Sequence, residues 1–166
     1  QIEQLRQRLK VFAHNQVKRV QDGWYILPEH VERSYQATID VAGDPFMITG
    51  KIDRIDRNKN TGDFDVIDYK TVEGGRKVTA RTTHGRGRGD AIQWRDLQLP
   101  LYRLLACQSG IDGPIKSGFF LLSGNLKVPS LDFPDWDKAE LASAEACARQ
   151  IIGRILVSRR IPFTAL

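Results

Sequence analysis

Three stretches of alternating side chains, joined by little more than turns, constrain this chain more than any other feature of its sequence. In residues 31–41, Val31, Arg33, Tyr35, Ala37, Ile39 and Val41 fall on one side and mostly polar residues on the other. That is the period of a half-exposed strand. Gly43, Asp44 and Pro45 supply turn chemistry, and residues 46–55 read as a second strand. Asn58, Asn60 and Gly62 mark another turn, and residues 64–71 read as a third strand. Sequential strands joined so briefly pair as neighbours, which predicts a three-strand antiparallel meander.

The flanking sequence has a helical period. Ile2, Leu5, Leu9, Phe12 and the Gln16–Val17 pair recur at three- and four-residue steps, predicting an amphipathic helix over residues 2–20. Gly23 and Pro28 punctuate the connection that follows. Residues 74–89 form a glycine-rich polar stretch carrying Arg76, Lys77, Arg81, Arg86 and Arg88, and read as a long loop. Asp90 with Gln93 has the spacing of a capping box, predicting a helix from there to about residue 108. Pro100 should bend that helix or mark its true first turn. Residues 115–122 are a very apolar fourth strand. A last helix follows Pro134, with Leu141, Ala144, Ala148, Ile151 and Ile155 on its expected buried side. A strand–helix–strand crossover implies parallel pairing of the third and fourth strands. The fold class is therefore α/β, with a central mixed β-sheet flanked by helices.

With 166 residues, 41% hydrophobic and 27% charged, the chain has the composition of one globular domain spanning residues 1–166. The ends, an initial Gln1 and a stop just after a helical segment, suggest a domain taken from a larger protein. No apolar run approaches the roughly 20 residues needed to span a bilayer, so no membrane partner is expected. No secretory leader is visible. Cys107 and Cys147 sit in helical stretches and read as small buried hydrophobes, which fits a reducing, cytoplasmic setting. With no CxxC pair, neither structural zinc nor an iron–sulphur cluster is supported. A net charge of +5 is compatible with a polyanionic partner.

Chemistry concentrates on two strands. Asp68 and Lys70 are two apart on the third strand and share a face. A carboxylate can hold magnesium, and an adjacent lysine can stabilise charge as a phosphodiester is attacked. On the second strand, Asp53 can lie across from Asp68, and two facing carboxylates repel unless a cation sits between them. Asp56 reads either as a turn cap or as an ion-pair partner of Arg54, and Gly50 either as a close-approach site or a strand break. Gln98 and Tyr102 are four apart on one helical face, within reach of phosphate or water. Glu32, at the start of the first strand, is a further acidic candidate, whereas His14, His30 and His84 make no metal-binding spacing.

Taken together, residues 50–56 (GKIDRID), 65–71 (DVIDYKT) and 98–102 (QLPLY) resemble the RecB-like branch of the PD-(D/E)xK nuclease superfamily. The nearest likeness is to the C-terminal nuclease domains of AddB-type subunits of bacterial helicase–nuclease complexes. The resemblance covers about residues 29–122 and implies a restriction-endonuclease-like core. It implies that Asp53, Asp68 and the Tyr69 backbone carbonyl bind the catalytic divalent metal, Mg2+ or alternatively Mn2+. It implies that Lys70 assists the attacking water, that Gln98 and Tyr102 complete the site, and that Glu32 fits an acidic position before the first core strand. Two departures stand out. The first helix carries only His14 where many relatives place a metal-binding histidine or acid. Two isolated cysteines cannot ligate the cluster that many AddB-type domains hold with four.

The function implied is hydrolysis of DNA phosphodiesters by a metal-dependent nuclease, an exonuclease module of a break-repair or recombination machine. DNA is the expected partner, together with a helicase domain or subunit elsewhere in the complex. The basic residues Arg76, Lys77, Arg81, Arg86 and Arg88 are candidate DNA contacts. The alternatives are a non-catalytic DNA-binding or scaffolding module of such a complex, and a CRISPR-associated or phage-type recombination exonuclease.

Overall fold

The computed structural model describes residues 1–72, 84–86, 92–128 and 130–159. A long first helix, α1 (Ile2–Gln21), leads into a short strand, β1 (Trp24–Ile26), and a 3-10 turn at Pro28–His30. Two strands, β2 (Arg33–Val41) and β3 (Asp44–Ile52), form a hairpin, and β4 (Arg54–Asn58) and β5 (Phe64–Thr71) form a second one. Strands β6 (His84–Arg86) and β7 (Ile92–Trp94) pair with each other. Helix α2 (Gln98–Gln108), β8 (Ile115–Leu122), β9 (Leu131–Asp132) and helix α3 (Lys138–Arg159) complete the order.

The central sheet has five strands in the order β1-β4-β5-β8-β9. β5 and β8 are parallel and the other neighbours antiparallel, so the sheet is mixed, and helices pack on both of its faces. The expected three-strand meander is not what forms. The second strand of the sequence reading, residues 46–55, is cut at Asp53. Its first part pairs only with β2, and its continuation, β4, pairs with β1 and β5. The reason lies in the packing partners. The β2–β3 hairpin serves α2 and α3: Ile39 and Val41 meet Ala148 and Ile152, while Tyr35 and Ala37 join Leu105 and Ala106. β4 must instead lie flat in the main sheet, with Ile55 fully buried.

Further expectations change. Residues 84–86 are a strand rather than loop, and Gln93 lies on β7, so it does not close a capping box; Asp90 itself lies outside the described residues. The helix begins at Gln98, which places Pro100 in its first turn, where its missing N–H costs no hydrogen bond. On α3 the buried residues are Ala144, Ala148 and Ile152, whereas Ile151 and Ile155 are about half exposed. Cys107 is exposed and Cys147 half-buried, so the pair are not the buried hydrophobes that composition suggested. The phase of each helix is set by where its neighbours sit, which helical period does not fix. The same holds for α1: Val11 and Arg19 are buried, and Ile2, Leu5, Leu9 and Val17 are exposed. No helix among the described residues is long and apolar enough to cross a membrane.

The face of the sheet under α1 is unusual, because its centre is ionic. Asp56 and Asp65 are cross-strand partners on β4 and β5, a like-charge pairing that repels on its own. Arg19 resolves it, donating from Nε and Nη2 to Asp56 Oδ2 at 3.0 and 2.7 Å and from Nη2 to Asp65 Oδ2 at 2.9 Å. Arg54 also pairs with Asp56 and reaches Gln16 Oε1 at 2.9 Å and the Tyr69 hydroxyl at 3.1 Å. All four charged residues are buried. Phe12 closes the site's edge against the rings of Tyr69 and Phe120, at centroid distances of 6.0 and 5.1 Å.

Removing one partner of a buried ion pair leaves the other charge uncompensated. Arg19→Ala should therefore lower the unfolding free energy by about 3–5 kcal/mol, read from urea denaturation. Burial raises the Asp65 carboxyl from 3.8 to about 6, with the nearby Asp56 charge adding to the rise and Arg19 opposing it. The folded protein then holds that proton more tightly than the unfolded chain does. Its stabilising contribution is complete below 3.8 and is lost as pH rises through about 6. The stability difference between wild type and Asp65→Asn should decline over that window and level above it. A difference independent of pH would refute the assignment.

Candidate active site

On the opposite face of β5, the alternation that sends Asp65, Ile67 and Tyr69 towards α1 sends Asp68 and Lys70 towards α2. Asp68 is buried, at 5% exposure, near the C-terminal end of the strand. Its Oδ2 lies 2.7 Å from Lys70 Nζ, whose side chain keeps 36% of its exposure. The first turn of α2 brings Gln98 over this pair. Gln98 Nε2 donates to Asp68 Oδ1 at 2.8 Å and to the Tyr102 hydroxyl at 3.1 Å, and Lys70 Nζ donates to Gln98 Oε1 at 3.2 Å. One carboxamide thus ties an acid, a base and a phenol into a single cluster.

Asp53 arrives from the break between β3 and β4. The β4–β5 ladder ends at Arg54 opposite Ile67, and one step further along the same register Asp53 falls opposite Asp68. Instead of a backbone carbonyl, the Asp53 carboxylate accepts the Tyr69 N–H, Oδ2 to N at 2.9 Å. The kink is held from the other side by the Glu32 N–H, which donates to the Asp53 carbonyl at 2.8 Å. The N–H and C=O of a strand residue point to the same edge, so the Tyr69 carbonyl is directed to the Asp53 side as well. Its phenol points to the α1 face, into the Arg54 network.

Gly50 explains how α2 comes so close. A β-carbon there would stand 2.6 Å from Leu105 Cδ1 and 3.6 Å from Tyr102 Cε1. The glycine is a close-approach position, and the helix lies against bare backbone of β3.

Burial pushes the Asp68 carboxyl above its ordinary value; Lys70 pulls it down, and the charges of Asp53 and Asp96 push it up again. Asp96 was not singled out by the sequence reading. Its Oδ1 accepts the Gln98 N–H at 2.8 Å, so it fixes the first turn of the helix that carries Gln98. An Asp just ahead of a helical run is a capping signal, hidden in the sequence by the Asp90–Gln93 spacing upstream of it.

Glu32 stands apart from this cluster in its bonding. It has a positive φ of 52° and pairs with Lys51 Nζ at 2.5 Å. Arg76, Lys77, Arg81 and Arg88 lie outside the described residues, and Arg86 is on β6, described by its backbone alone.

The donor set suits a small hard cation. Magnesium takes one or two carboxylates and keeps several waters, unlike calcium cages or zinc sites. Among the described residues no three His, Cys, Asp or Glu gather around one point. What the site offers is the carboxylates of Asp53 and Asp68, with Lys70 Nζ 2.7 Å from Asp68 Oδ2.

A family model for the PD-(D/E)XK nuclease superfamily matches residues 1–164. The chain belongs to this superfamily. The mixed sheet flanked by helices is accordingly a restriction-endonuclease-like core. Five solved chains match this superfamily member. One of them, the crystal structure of SSO0001, is 17% identical with a TM-score of 0.41. The alignment covers 87% of this chain and 58% of that one, so the chain spans a little over half of its length. No curated protein sequence matches.

Burial raises the proton affinity of the Asp68 carboxyl more than the Lys70 ion pair lowers it, so its charge costs the fold stability at neutral pH. Asp68→Asn keeps an acceptor for Gln98 and removes the charge. Its urea midpoint at pH 7 should rise above that of wild type. A lower midpoint would show that the carboxylate is there to hold the fold.

Proposed function

We propose that this chain is a magnesium-dependent deoxyribonuclease domain of the RecB-like branch, similar to the nuclease domain of AddB-type helicase–nuclease subunits. Residues 1–166 are read as one such domain, with DNA as substrate, exonucleolytic cleavage as its action and a helicase domain or subunit as its cytoplasmic partner. The observation that carries the reading is the Gln98 carboxamide, which joins Asp68, Lys70 and Tyr102 opposite Asp53. A fold needing only an ion pair at this place has no use for a buried acid, a half-exposed lysine, a glutamine and a phenol in one connected set.

In this reading Asp53, Asp68 and the Tyr69 carbonyl hold the divalent ion, with manganese able to replace magnesium. The Glu32 carboxylate would take part only through a change in its Lys51 pairing. When bound, the ion supplies Lewis-acid stabilisation to the phosphodiester. Lys70 brings a positive charge to the rim of the site, where charge develops as water attacks phosphorus. Its ammonium is held in place by Asp68 and Gln98. Gln98 and Tyr102 orient the pair, and Asp96 orients Gln98. The basic residues Arg76, Lys77, Arg81, Arg86 and Arg88 would add salt-dependent contacts to the DNA backbone.

Purified protein should degrade DNA with magnesium and not in EDTA. Asp68→Ala should abolish cleavage, and Lys70→Ala should slow it by about 100-fold or more, the cost of losing one charge-stabilising donor. Circular dichroism should show both variants folded. Metal-independent cleavage, or full activity of Asp68→Ala, would overturn the assignment.

A further inference from the structure

A second surface, part apolar and part cationic, lies between α1 and the turn that follows β8. Beyond the C-terminal ends of the parallel strands β5 and β8, the turn at residues 123–127 stands away from α1 and leaves a cleft. Its larger part, about 640 Å³, is lined by the apolar Val11 and Leu126 as well as by Lys10, His14, Asn125 and Lys127. A smaller part, about 300 Å³, shares Gln7, Gly124 and Asn125 with it and extends to Arg8 and Val72. Among the described residues, none that lines either part is acidic.

We propose that this cleft holds the phosphate backbone of a single nucleic-acid strand next to the scissile phosphate; the role assigned to it rests on the nuclease reading above. Three observations support the proposal. The first is position: Val72 is two residues beyond Lys70 on the same chain path, roughly 7 Å at the rise of a strand. Ligands of open α/β sheets sit off the carboxyl ends of parallel strands, where neighbouring connections part. The second is charge: Lys10 and Lys127 are exposed, one on α1 and one on the turn after β8, with His14 beside them, and no acid stands among the described residues that line the cleft. The third is hydrogen bonding. The Asn125 side-chain oxygen is occupied by the Lys127 N–H at 2.9 Å, which leaves its amino group as a donor. Such donors and cations recognise phosphate oxygens, and with no aromatic ring among the described lining residues the contact is to backbone rather than by base stacking.

Gly124 lies on the cleft floor, where an added β-carbon would meet Gln7 Cγ at 3.8 Å, an ordinary contact. A larger side chain at this position would therefore fill the cleft without disturbing its walls. That gives two independent variants, a charge reversal (Lys10→Glu with Lys127→Glu) and a steric block (Gly124→Leu). A fluorescein-labelled single-stranded oligothymidine is titrated by anisotropy in EDTA, so that binding is read without cleavage. Lys59→Glu, in the turn at the opposite end of β5, serves as the control.

Charge reversal should weaken binding at least tenfold and flatten the slope of log affinity against log salt by about 1.4, two contacts at roughly 0.7 each. Gly124→Leu should weaken binding by a similar factor with a smaller change in slope. Lys59→Glu should bind within about twofold of wild type. Wild-type affinity in both cleft variants, an equal loss in Lys59→Glu, or no binding by wild type would each overturn the proposal. Cleavage by wild type in magnesium, measured separately, keeps the two readings apart. Cleft-dependent binding without cleavage sinks the catalytic reading alone, and cleavage with cleft-independent binding sinks this one alone.

Discussion

Asp56 and Asp65 face each other across adjacent strands in the interior of this protein, and an arginine from a distant helix bridges them. The consequence is mechanical. Arg19 can satisfy both acids only if α1 lies on the sheet in one position and β4 and β5 pair in one register. A slip of the register would leave a carboxylate buried without its partner, at a cost of several kcal/mol. Hydrophobic burial alone is far less exacting, because one apolar side chain can replace another at a shared face. The ionic core gives up stability through desolvation and in return fixes geometry.

That geometry reaches the other face of the sheet. The register that sets Asp56 opposite Asp65 also sets Asp53 opposite Asp68, three residues along each strand. Arg54 couples the two faces directly. Its guanidinium grips Asp56 and the Tyr69 hydroxyl under α1, while its neighbour Asp53 and the backbone of Tyr69 meet on the carboxylate side. A strand alternates its side chains, so a structural network and a reactive one occupy the same few residues without mixing. The break at Asp53 frees its carboxylate to act as a pseudo-backbone acceptor for Tyr69, and the hairpin ahead of it is free to pack on α2 and α3.

Much of this was legible in the sequence. The parallel pairing of residues 64–71 with 115–122 followed from the intervening helix, and the sharing of a face by Asp68 and Lys70 followed from strand period. Gln98 and Tyr102 share a helical face as their spacing required, and they bond to each other. What was not legible had physical causes. Short strands such as β1 and β9 carry too few residues for a period to show. The helix start at Gln98 was hidden by an Asp90–Gln93 pair that imitates a cap. Asp65 and Arg19 look like surface charges in any one-dimensional reading, because burying a charge is favourable only with a partner, and the partners lie 46 residues apart.

The sequence by itself determined which residues share a face, since that depends only on the period of a strand or a helix, and through its motifs it determined the superfamily. Tertiary structure decided which faces meet. It split the expected meander at Asp53, turned the stripe of α1 so that Arg19 is buried and Leu5 exposed, and set Gly50 under α2 so that Gln98 and Tyr102 reach the acids. Such choices rest on contacts between residues far apart in the chain. Their energies depend on partners that no local pattern names, which is why they became visible only in the folded molecule.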